Sequence, residues 1–244
     1  MNELERVEAQ ALRELAVLGG GRAETIGGAL CTAHMSLPIS ELNRALPIGP
    51  VVDAGAILGW FVGREHIVAV PPGYLGLDES LAALGYAPGR GWMKFQRNDA
   101  PAVAVETDLR VEQTLDAEAF AAAFAGGYGI PADVARRLCS FVGAPGWHCF
   151  VAFAGDESAA CAALYADGDH GWLGAAATRP EFRRRGAQRA LIAARLEAGR
   201  AQGVRRFATE TGERIAGAVD QSYRNILQAG FTEAYLRPNR RSPL

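Results

Sequence analysis

The sequence is poor in cysteine and carries almost no net charge. Its four cysteines among 244 residues form no Cys-x-x-Cys pair, and each stands among apolar residues. This spacing is not that of a disulfide framework or a structural zinc site, so we expect reduced, buried thiols and no bound metal. The formal net charge of -2 provides no general attraction to nucleic acid or to an anionic membrane.

Long hydrophobic runs are also missing. No stretch approaches the roughly 20 apolar residues that a membrane-spanning helix needs. The first residues, MNELERVEAQALREL, begin with acidic side chains and place apolar residues at helical spacing, unlike the basic, continuously apolar start of a signal peptide. We therefore expect a cytoplasmic chain that does not enter a membrane.

The first hundred residues alternate between helical and strand-like patterns. After the first helix, the apolar and polar residues predict strands at residues 26–35, 60–70 and 92–96, and short helices at residues 40–46 and 77–84. The polar run at residues 97–101 then interrupts the pattern. We place a domain boundary there, between an accessory unit at residues 1–100 and a second unit at residues 107–244.

The sequence pattern of the second unit predicts a mixed sheet. Three apolar runs, at residues 147–154, 159–166 and 171–178, are separated by short turns and should be antiparallel neighbours. A basic turn then leads into a helix at residues 187–202, followed by a strand at residues 204–209. Strand, helix and strand imply a parallel pair with a right-handed crossover, so the predicted fold class is α/β, with a mostly antiparallel sheet flanked by helices.

The sequence continues with a further helix and a final strand. The helix is predicted at residues 216–229, where Gly230 stops it, and the strand at residues 231–236. Upstream of the three apolar runs, a strand at residues 109–113 and helices at residues 117–124 and 132–142 complete the unit, the first of these helices being capped by Asp116.

The basic turn Arg183-Arg184-Arg185-Gly186-Ala187-Gln188 has the properties of an anion site. The first turn of a helix leaves its backbone N–H groups without carbonyl partners, and the helix dipole favours negative charge there. Gly186 lets the backbone approach a bulky phosphate, and Ala187 adds only a methyl group beside it. The alternative is a solvated basic helix terminus, although positive charge there opposes the dipole.

Residues 178–191, TRPEFRRRGAQRAL, resemble the acetyl-CoA motif of the GNAT superfamily of N-acetyltransferases. That motif runs hydrophobic-x-Pro-x-x-(Arg or Gln)-x-x-Gly-x-(Gly or Ala) and opens a helix. Residues 222–231, SYRNILQAGF, resemble the later helix of the superfamily that ends in Gly-Phe. Gln188 stands where the superfamily usually has Gly or Ala, so its side chain must point away from the phosphates or contact them.

The resemblance implies acetyl-CoA as co-substrate in a GNAT-like acyl-CoA N-acyltransferase fold. Backbone amides from Arg184 to Gln188 would hold the pyrophosphate, and the strand edge before the turn would pair with the pantetheine, as strands pair in a sheet. The predicted cofactor-binding residues are Ala176, Ala177, Thr178, Arg183, Arg184, Arg185, Gly186, Ala187, Gln188, Ser222 and Asn225.

Acyl transfer to an amine needs a general base. At the position where some superfamily members have a catalytic glutamate, this chain has Trp172. His170, two residues earlier on the same strand face, is one candidate acting through water, and its alternative is a partly exposed hairpin histidine. Glu210, at the end of the next strand, is the second candidate, and its alternative is a solvated or helix-capping carboxylate.

The acid that would protonate the departing thiolate is also absent from the position that the resemblance implies. Superfamily enzymes often have a tyrosine four residues before the glycine of the Gly-Phe pair, and this chain has Ile226 there. Tyr223 lies about one helical turn earlier and faces a similar direction. It is therefore the candidate acid, and its alternative is a core aromatic residue.

A sequence pattern of the second half recurs in the first half. Residues 81–86 and 92–95 repeat the pattern of helix, glycine, aromatic residue and strand, which suggests a degenerate second copy of the fold. No Arg-x-x-Gly-x-Ala turn precedes it, so we expect this copy to lack the cofactor. Residues 238–244 look too polar for the final strand that this fold usually has, so another segment is expected to complete the sheet.

We therefore expect an N-acetyltransferase acting on an amine of a small molecule or peptide, by direct attack in a ternary complex, because no Cys or Ser nucleophile is indicated. The alternative is a catalytically inactive CoA-binding sensor or interaction domain. Nucleic-acid binding through the arginines is disfavoured, since they lack interleaved aromatic residues. The sequence is compatible with a homodimer.

Overall fold

One sheet of eleven strands runs through the protein in a computed structural model that describes residues 2–34, 42–217 and 220–243. The strands are β1 (Arg22–Ile26), β2 (Ala29–Ala33), β3 (Arg44–Pro47), β4 (Ile67–Ala69), β5 (Ala87–Asn98), β6 (Arg110–Thr114), β7 (Trp147–Ala154), β8 (Glu157–Asp167), β9 (His170–Thr178), β10 (Arg206–Gly212) and β11 (Thr232–Arg241). The helices are α1 (Glu3–Leu18), α2 (Ala54–Phe61), α3 (Leu77–Ala83), α4 (Ala117–Tyr128), α5 (Ala132–Leu138), α6 (Ala187–Ala201) and α7 (Gln221–Gln228).

The strand order is β1-β2-β3-β4-β11-β5-β10-β9-β8-β7-β6. The pairs β3–β4 and β9–β10 are parallel, and the remaining pairs are antiparallel. The predicted fold class is confirmed, as is the parallel pair joined through the helix that follows the basic turn. No helix in the described ranges is long and apolar enough to cross a membrane.

The two halves of the chain exchange strands at the centre of the sheet. β5 from the first half lies between β10 and β11, and β11 lies between β5 and β4. The prediction that another segment completes the sheet is confirmed, because β5 fills that place. The prediction that residues 238–244 are too polar for a strand is wrong. β11 continues to Arg241, and Pro238 is accommodated where the register shifts between Arg237 and Asn239.

Two predicted elements of the first half differ from the structure. The predicted helix at residues 40–46 lies partly outside the described residues, and its end is strand β3, which is held between β2 and β4. The predicted strand at residues 60–70 begins inside α2, whose first turn is capped by the Asp53 carboxylate accepting from the Ala56 N–H. The apolar composition of this segment does not by itself distinguish a buried helix from a buried strand.

In the second half the observed differences are in length. The helix predicted at residues 216–229 begins only at Gln221, and α5 ends at Leu138.

Helices cover both faces of the sheet. On one face α1, α4 and α5 pack through Val7, Phe120 and Ala135 against alternate residues of β7 to β10. On the other face α6 and α7 pack through Leu196 and Ile226 against the intervening residues. α1 belongs to the first half of the sequence but lies against β8, β9 and β10 of the second half. This placement brings α1 beside the site described below.

The four cysteines are buried free thiols, as the sequence predicts. Burial raises the pKa of Cys31, Cys139 and Cys149 to about 12. These thiols are therefore protonated at neutral pH and chemically inert.

Candidate active site

The parallel strands β9 and β10 separate after a short stretch of pairing. They pair from His170 opposite Arg206 to Trp172 opposite Ala208. At the point of separation the Thr209 hydroxyl donates to the Leu173 carbonyl over 2.8 Å. β9 then bulges, with a shifted register against β8 and with Ala175 at a φ of 46°, which bends the strand away from β10. A wedge-shaped opening, the splay, results between the two strands.

A groove of about 1000 Å³ extends from the splay to the beginning of α6. It contains nearly all of the predicted cofactor-binding residues. They are Ala176, Ala177, Thr178, Arg183, Arg184, Gly186, Ala187, Gln188, Ser222 and Asn225. The strand edge, the basic turn and α7 therefore contribute to one continuous surface.

The turn before α6 presents free backbone donors to this groove. Arg184 and Gly186 have φ angles of 66° and 80°, in the left-handed region, and no side chain caps the helix. The first intrahelical bond runs from the Ala190 N–H to the Gly186 carbonyl. Within the described ranges nothing accepts from the amides of Ala187, Gln188 or Arg189. Such a concave set of amides at a helix N-terminus fits a phosphate group.

The arginines of the turn divide into two groups. Arg185 forms a salt bridge with Asp108, and the Thr107 hydroxyl donates to the Arg185 carbonyl over 2.7 Å. Arg185 does not line the groove, so its predicted place beside the phosphates differs from its position in the structure. Arg189 lines the groove instead; it was missed in the sequence because it follows the last consensus position of the motif, Gln188. Among the described residues neither Arg184 nor Arg189 forms an ion pair.

The unusual Gln188 points its side chain away from the turn. Its Oε1 accepts from the Asn225 amide over 2.7 Å, and Asn225 Oδ1 accepts from the Gln221 amide over 3.0 Å. The Gln188–Asn225 bond joins α6 to α7 across the groove, and the Gln221–Asn225 bond lies within α7. The Gln188 side chain therefore fills the space between the helices and leaves the free amides of the turn uncovered.

A second cavity, of about 380 Å³, lies on the α1 side of the sheet and passes through the splay. Its lining is mainly apolar and comes from both halves of the chain, including Leu12, Leu15, Trp92, Phe124, Phe141 and Trp172. The residues that line both cavities are Tyr128, Ala176, Gln188, Arg195, Thr211, Gly212 and Ser222. The two cavities therefore meet at the splay, as a donor site and an acceptor site must in a direct transfer.

Glu210 lines the second cavity and is almost completely buried. Its carboxylate accepts from Lys94 Nζ over 2.8 Å and from Trp172 Nε1 over 3.1 and 3.2 Å. Lys94 is the only lysine of the sequence, and it also donates to Glu8 of α1 over 2.7 Å. Trp172, which replaces the glutamate expected from the resemblance, thus holds a carboxylate from the neighbouring strand.

Further buried charges lie behind Lys94, on α1 and β11. Arg237 donates to Glu5 over 2.6 Å and to Glu8 over 2.9 Å, and the Tyr235 hydroxyl donates to Glu5 over 2.6 Å. Together with Glu210, this charge cluster contains three carboxylates and two cations, so its formal charge is one negative. Burial and the neighbouring Glu8 raise the pKa of Glu210, against the opposing effect of Lys94.

His170 lies away from both cavities. It is buried at the beginning of β9, with Nδ1 2.7 Å from the Asp169 carboxylate. Its partner in the sheet is Arg206, four residues before Glu210 on β10, which corresponds to roughly 13 Å along a strand. The structure therefore does not bring His170 together with the other predicted catalytic residues.

Tyr223 lines the groove but directs its hydroxyl elsewhere. The O–H donates to Glu233 over 2.6 Å, and the ring packs edge-on against Phe95. Burial, followed by the bond to Glu233, raises the pKa of Tyr223 to about 12. Ile226, at the position where the superfamily often has tyrosine, lies in the apolar lining of the second cavity.

The turn between β3 and the helix of the other parallel pair, β3–β4, is closed. It precedes α2, and its amides bond within the chain: Ile48 and Gly49 donate to the Gly28 carbonyl over 3.0 and 2.7 Å, and Asp53 donates to Gly27 over 2.8 Å. The Asp53 carboxylate also caps α2. With these donors occupied and a carboxylate at the helix terminus, this turn does not fit a phosphate.

Comparisons with known proteins agree with this architecture. Residues 117–220 match the model of the acetyltransferase (GNAT) family. The fold is similar to a GCN5-related N-acetyltransferase from Kribbella flavida, with a TM-score of 0.68 and 16% identity over 100% of this chain and 97% of that one. A GCN5-related N-acetyltransferase from Sphaerobacter thermophilus gives 0.64 and 17%, over 88% of this chain and 76% of that one.

A tandem GNAT protein from the clavulanic acid biosynthesis pathway gives a TM-score of 0.58 and 15% identity, over 89% of this chain and 78% of that one. No curated protein sequence matches the chain. Residues 117–220 form a domain of the GNAT acetyltransferase family, and the chain as a whole has the fold of GNAT proteins. In the described ranges no group of three or more His, Cys, Asp or Glu side chains is placed to hold a metal ion.

Proposed function

We propose that the protein is a cytoplasmic N-acetyltransferase that transfers an acetyl group from acetyl-CoA to an amine of a small molecule or peptide. The observation that carries this proposal is the junction of two cavities at the splay. The groove ends in free backbone amides suited to a pyrophosphate, and the other cavity contains a buried carboxylate.

The residues of the groove fit the donor. The amides of the turn, together with Arg184 and Arg189, would hold the pyrophosphate, and the edge formed by Ala176–Thr178 would bond the pantetheine. The donor supplies an acyl group activated as a thioester. The Gln188–Asn225 bond holds α7 beside this path, and Ser222 lies at the junction of the cavities.

Glu210 is the proposed general base. It removes a proton from the attacking amine, and its raised pKa suits this role better than that of an exposed carboxylate. Lys94 and Trp172 fix its position. Direct attack on the thioester is favoured over a covalent intermediate because Cys161, which lines the groove, has its thiol pKa raised far above the ordinary value by burial.

The acceptor cavity favours an amine carried on an apolar body. Its walls include the aromatic side chains of Trp92, Phe124 and Trp172, which bury apolar surface while Glu210 receives the polar end. The pocket is built within one chain, so a homodimer is compatible with this mechanism and not required by it.

The test is an assay of CoA release with acetyl-CoA and a panel of amines, accompanied by calorimetric titration with CoA. We expect CoA to bind and at least one apolar primary amine to be acetylated, with the product identified by mass spectrometry. Comparison of acetyl-, propionyl- and succinyl-CoA tests the acyl preference. Tight CoA binding without turnover of any amine would favour the sensor function, and failure to bind CoA would refute both.

A further inference from the structure

Arg195 is a buried cation without a carboxylate partner in the described ranges. It lies on α6 with 3% of its surface exposed. Its Nε donates to the Leu191 carbonyl over 3.0 Å, and its Nη1 donates to the carbonyls of Ala163 and Gly174 over 3.1 and 3.4 Å. All three acceptors are uncharged, so the positive charge has no compensating anion.

The two buried cations of the charge cluster are neutralised. Lys94 contacts Glu8 and Glu210, and Arg237 contacts Glu5 and Glu8. Burial without such a partner lowers the pKa of Arg195 to about 9. An uncompensated buried charge is costly to the fold. A positive charge at this point is explained if an anion comes next to Arg195 during function.

The position of Arg195 identifies the anion. Arg195 lines both cavities, and one of its acceptors is Gly174, the residue immediately before the bulge at which β9 leaves β10. This is the junction where the proposed function requires the thioester to react. The anion produced there is the thiolate that remains when the acyl group leaves sulfur.

The proton donor predicted from the sequence does not serve this point. The Tyr223 hydroxyl donates to Glu233, and the position where the superfamily often has tyrosine is the apolar Ile226. Tyr128, which lines both cavities, donates its hydroxyl to the Ala176 carbonyl over 3.1 Å. An electrostatic partner for the leaving thiolate would remove the need for an acid in the bond-breaking step.

We propose that Arg195 stabilises the CoA thiolate as the leaving group. The amine nitrogen bonds to the acyl carbon, the carbon–sulfur bond breaks, and its electron pair remains on sulfur. The proton of the amine passes to Glu210, and the thiolate forms beside the Arg195 guanidinium. This inference rests on the proposed function.

A purely structural role for Arg195 is the competing explanation. The bulge leaves main-chain carbonyls without ladder partners, and Arg195 bonds two of them, at Ala163 and Gly174. In that case Arg195 would shape the splay without acting on sulfur. The two roles differ in one measurable property, the pKa of the thiol of bound CoA.

The experiment titrates the thiol of CoA bound to the full chain by ultraviolet absorbance, with desulfo-CoA as the blank. The blank removes the contributions of the protein's titratable groups near the splay, namely Cys161 of β8, Tyr128 of α4 and Glu210 of β10. We expect wild-type protein to lower the thiol pKa of bound CoA by about one to three units relative to free CoA, as an adjacent opposite charge does.

Two substitutions and one matched control complete the test. Arg195→Gln should abolish the lowering of the thiol pKa, and Arg195→Lys should retain part of it. Arg189→Gln removes a cation from the far end of the groove and should weaken CoA binding while leaving the thiol pKa of bound CoA unchanged.

A thiol pKa in the wild-type complex equal to that of free CoA would overturn the proposal, even if the variants failed to fold. An equal lowering in Arg195→Gln would also overturn it. If neither CoA nor desulfo-CoA binds, the proposed function fails as well, whereas binding with an unshifted thiol refutes the role of Arg195 alone.

Discussion

Glu210 illustrates how a single carboxylate takes its properties from distant parts of the sequence. Its partner Lys94 lies on β5, and Glu8, which raises its pKa, lies on α1. The sequence identified Glu210 as a candidate base from its place at a strand end. Its burial could not be foreseen, because Lys94 and Glu8 lie more than a hundred positions away from it in the sequence.

Removal of the carboxylate should impair chemistry more than binding. For Glu210→Gln we expect kcat to fall by about 10²- to 10⁴-fold, the usual contribution of a general base, with CoA affinity close to wild type. Steady-state kinetics and calorimetry measure the two quantities. Glu112→Gln, on the exposed strand β6, is the control and should not alter kcat. Equal activity of Glu210→Gln and wild type would exclude Glu210 as the base.

The pH dependence of kcat/KM should change when the hydrogen bond from Trp172 to Glu210 is removed. The base acts when ionised, so kcat/KM rises with pH through the pKa of Glu210. In Trp172→Phe the carboxylate loses a donor that favours its charged form, so this pKa rises and the acid limb moves to higher pH, by roughly half to one unit for a bond of about 1 kcal/mol. An acid limb that moves to lower pH would contradict this assignment.

Gly186 should control donor binding through its backbone conformation. An added Cβ would meet the Glu106 carbonyl at 3.0 Å, and the φ of 80° disfavours any L side chain. We expect Gly186→Ala to weaken CoA binding about tenfold, or ~1.4 kcal/mol.

Gly203 is the matched control for this substitution. It has a φ of 89°, has no atom within 4 Å of an added Cβ, and lies beyond the other end of α6. Because both glycines have a positive φ, Gly203→Ala should lower the free energy of unfolding about as much as Gly186→Ala does, by roughly 1 kcal/mol. Its CoA affinity should be that of the wild type. Equal loss of affinity in both variants would mean that the turn is not the phosphate site.

Side-chain direction separates the predicted cofactor residues that line the groove from Arg185, which does not. The free amides at the beginning of α6 could be predicted because the backbone geometry of the turn follows from local sequence. The positions of Arg185 and Arg189 depend on tertiary neighbours, since Asp108, the partner of Arg185, precedes β6. Arg195 carries no sequence signal, because a basic residue within a helix ordinarily indicates an exposed face.

At the scale of elements, α1 provides the buried acidic side of the charge cluster. Glu5 and Glu8 are three residues apart and so share one helix face, which is directed at Arg237 of β11. The helical spacing of the apolar residues predicted α1 correctly. The same pattern did not indicate that two of its charged residues are buried, because their partners are strands of both halves.

Loss of Arg237 should destabilise the protein strongly. Arg237→Met leaves Glu5 and Glu8 with reduced compensation, so we expect the free energy of unfolding to fall by about 3–5 kcal/mol. Chemical denaturation measures the change. Arg110→Gln, which removes an exposed ion pair with Glu112, should cost less than about 1 kcal/mol. Similar costs for the two variants would show that the buried cluster contributes little to stability.

At the scale of the whole molecule, the strand exchange joins the two halves into one sheet. The proposed division into residues 1–100 and 107–244 describes the sequence, but β5 and β11 each lie among strands of the other half. The polar run at residues 97–101 led to this division. The exchange itself depends on which edge strands are left unpaired, and no local pattern encodes that.

The second half should therefore not fold alone. In a fragment of residues 107–243, β10 and β11 would each expose an unpaired edge where β5 belongs. We expect this fragment to be aggregated or largely unfolded by circular dichroism and gel filtration, and co-expression with residues 1–106 to restore a soluble complex. A monomeric, cooperatively folding fragment would contradict the structural need for β5.

The central place of β11 also affects the order in which the protein acquires its structure during synthesis. Domains usually fold from the N-terminus as the chain emerges from the ribosome. Here β4 and β5 are separated in the sheet by a strand that begins at Thr232, so translation must pass Arg241 before the first half can close. Until then one edge of β4 and one edge of β5 remain unpaired, and a nascent chain at this stage is a natural client for chaperones.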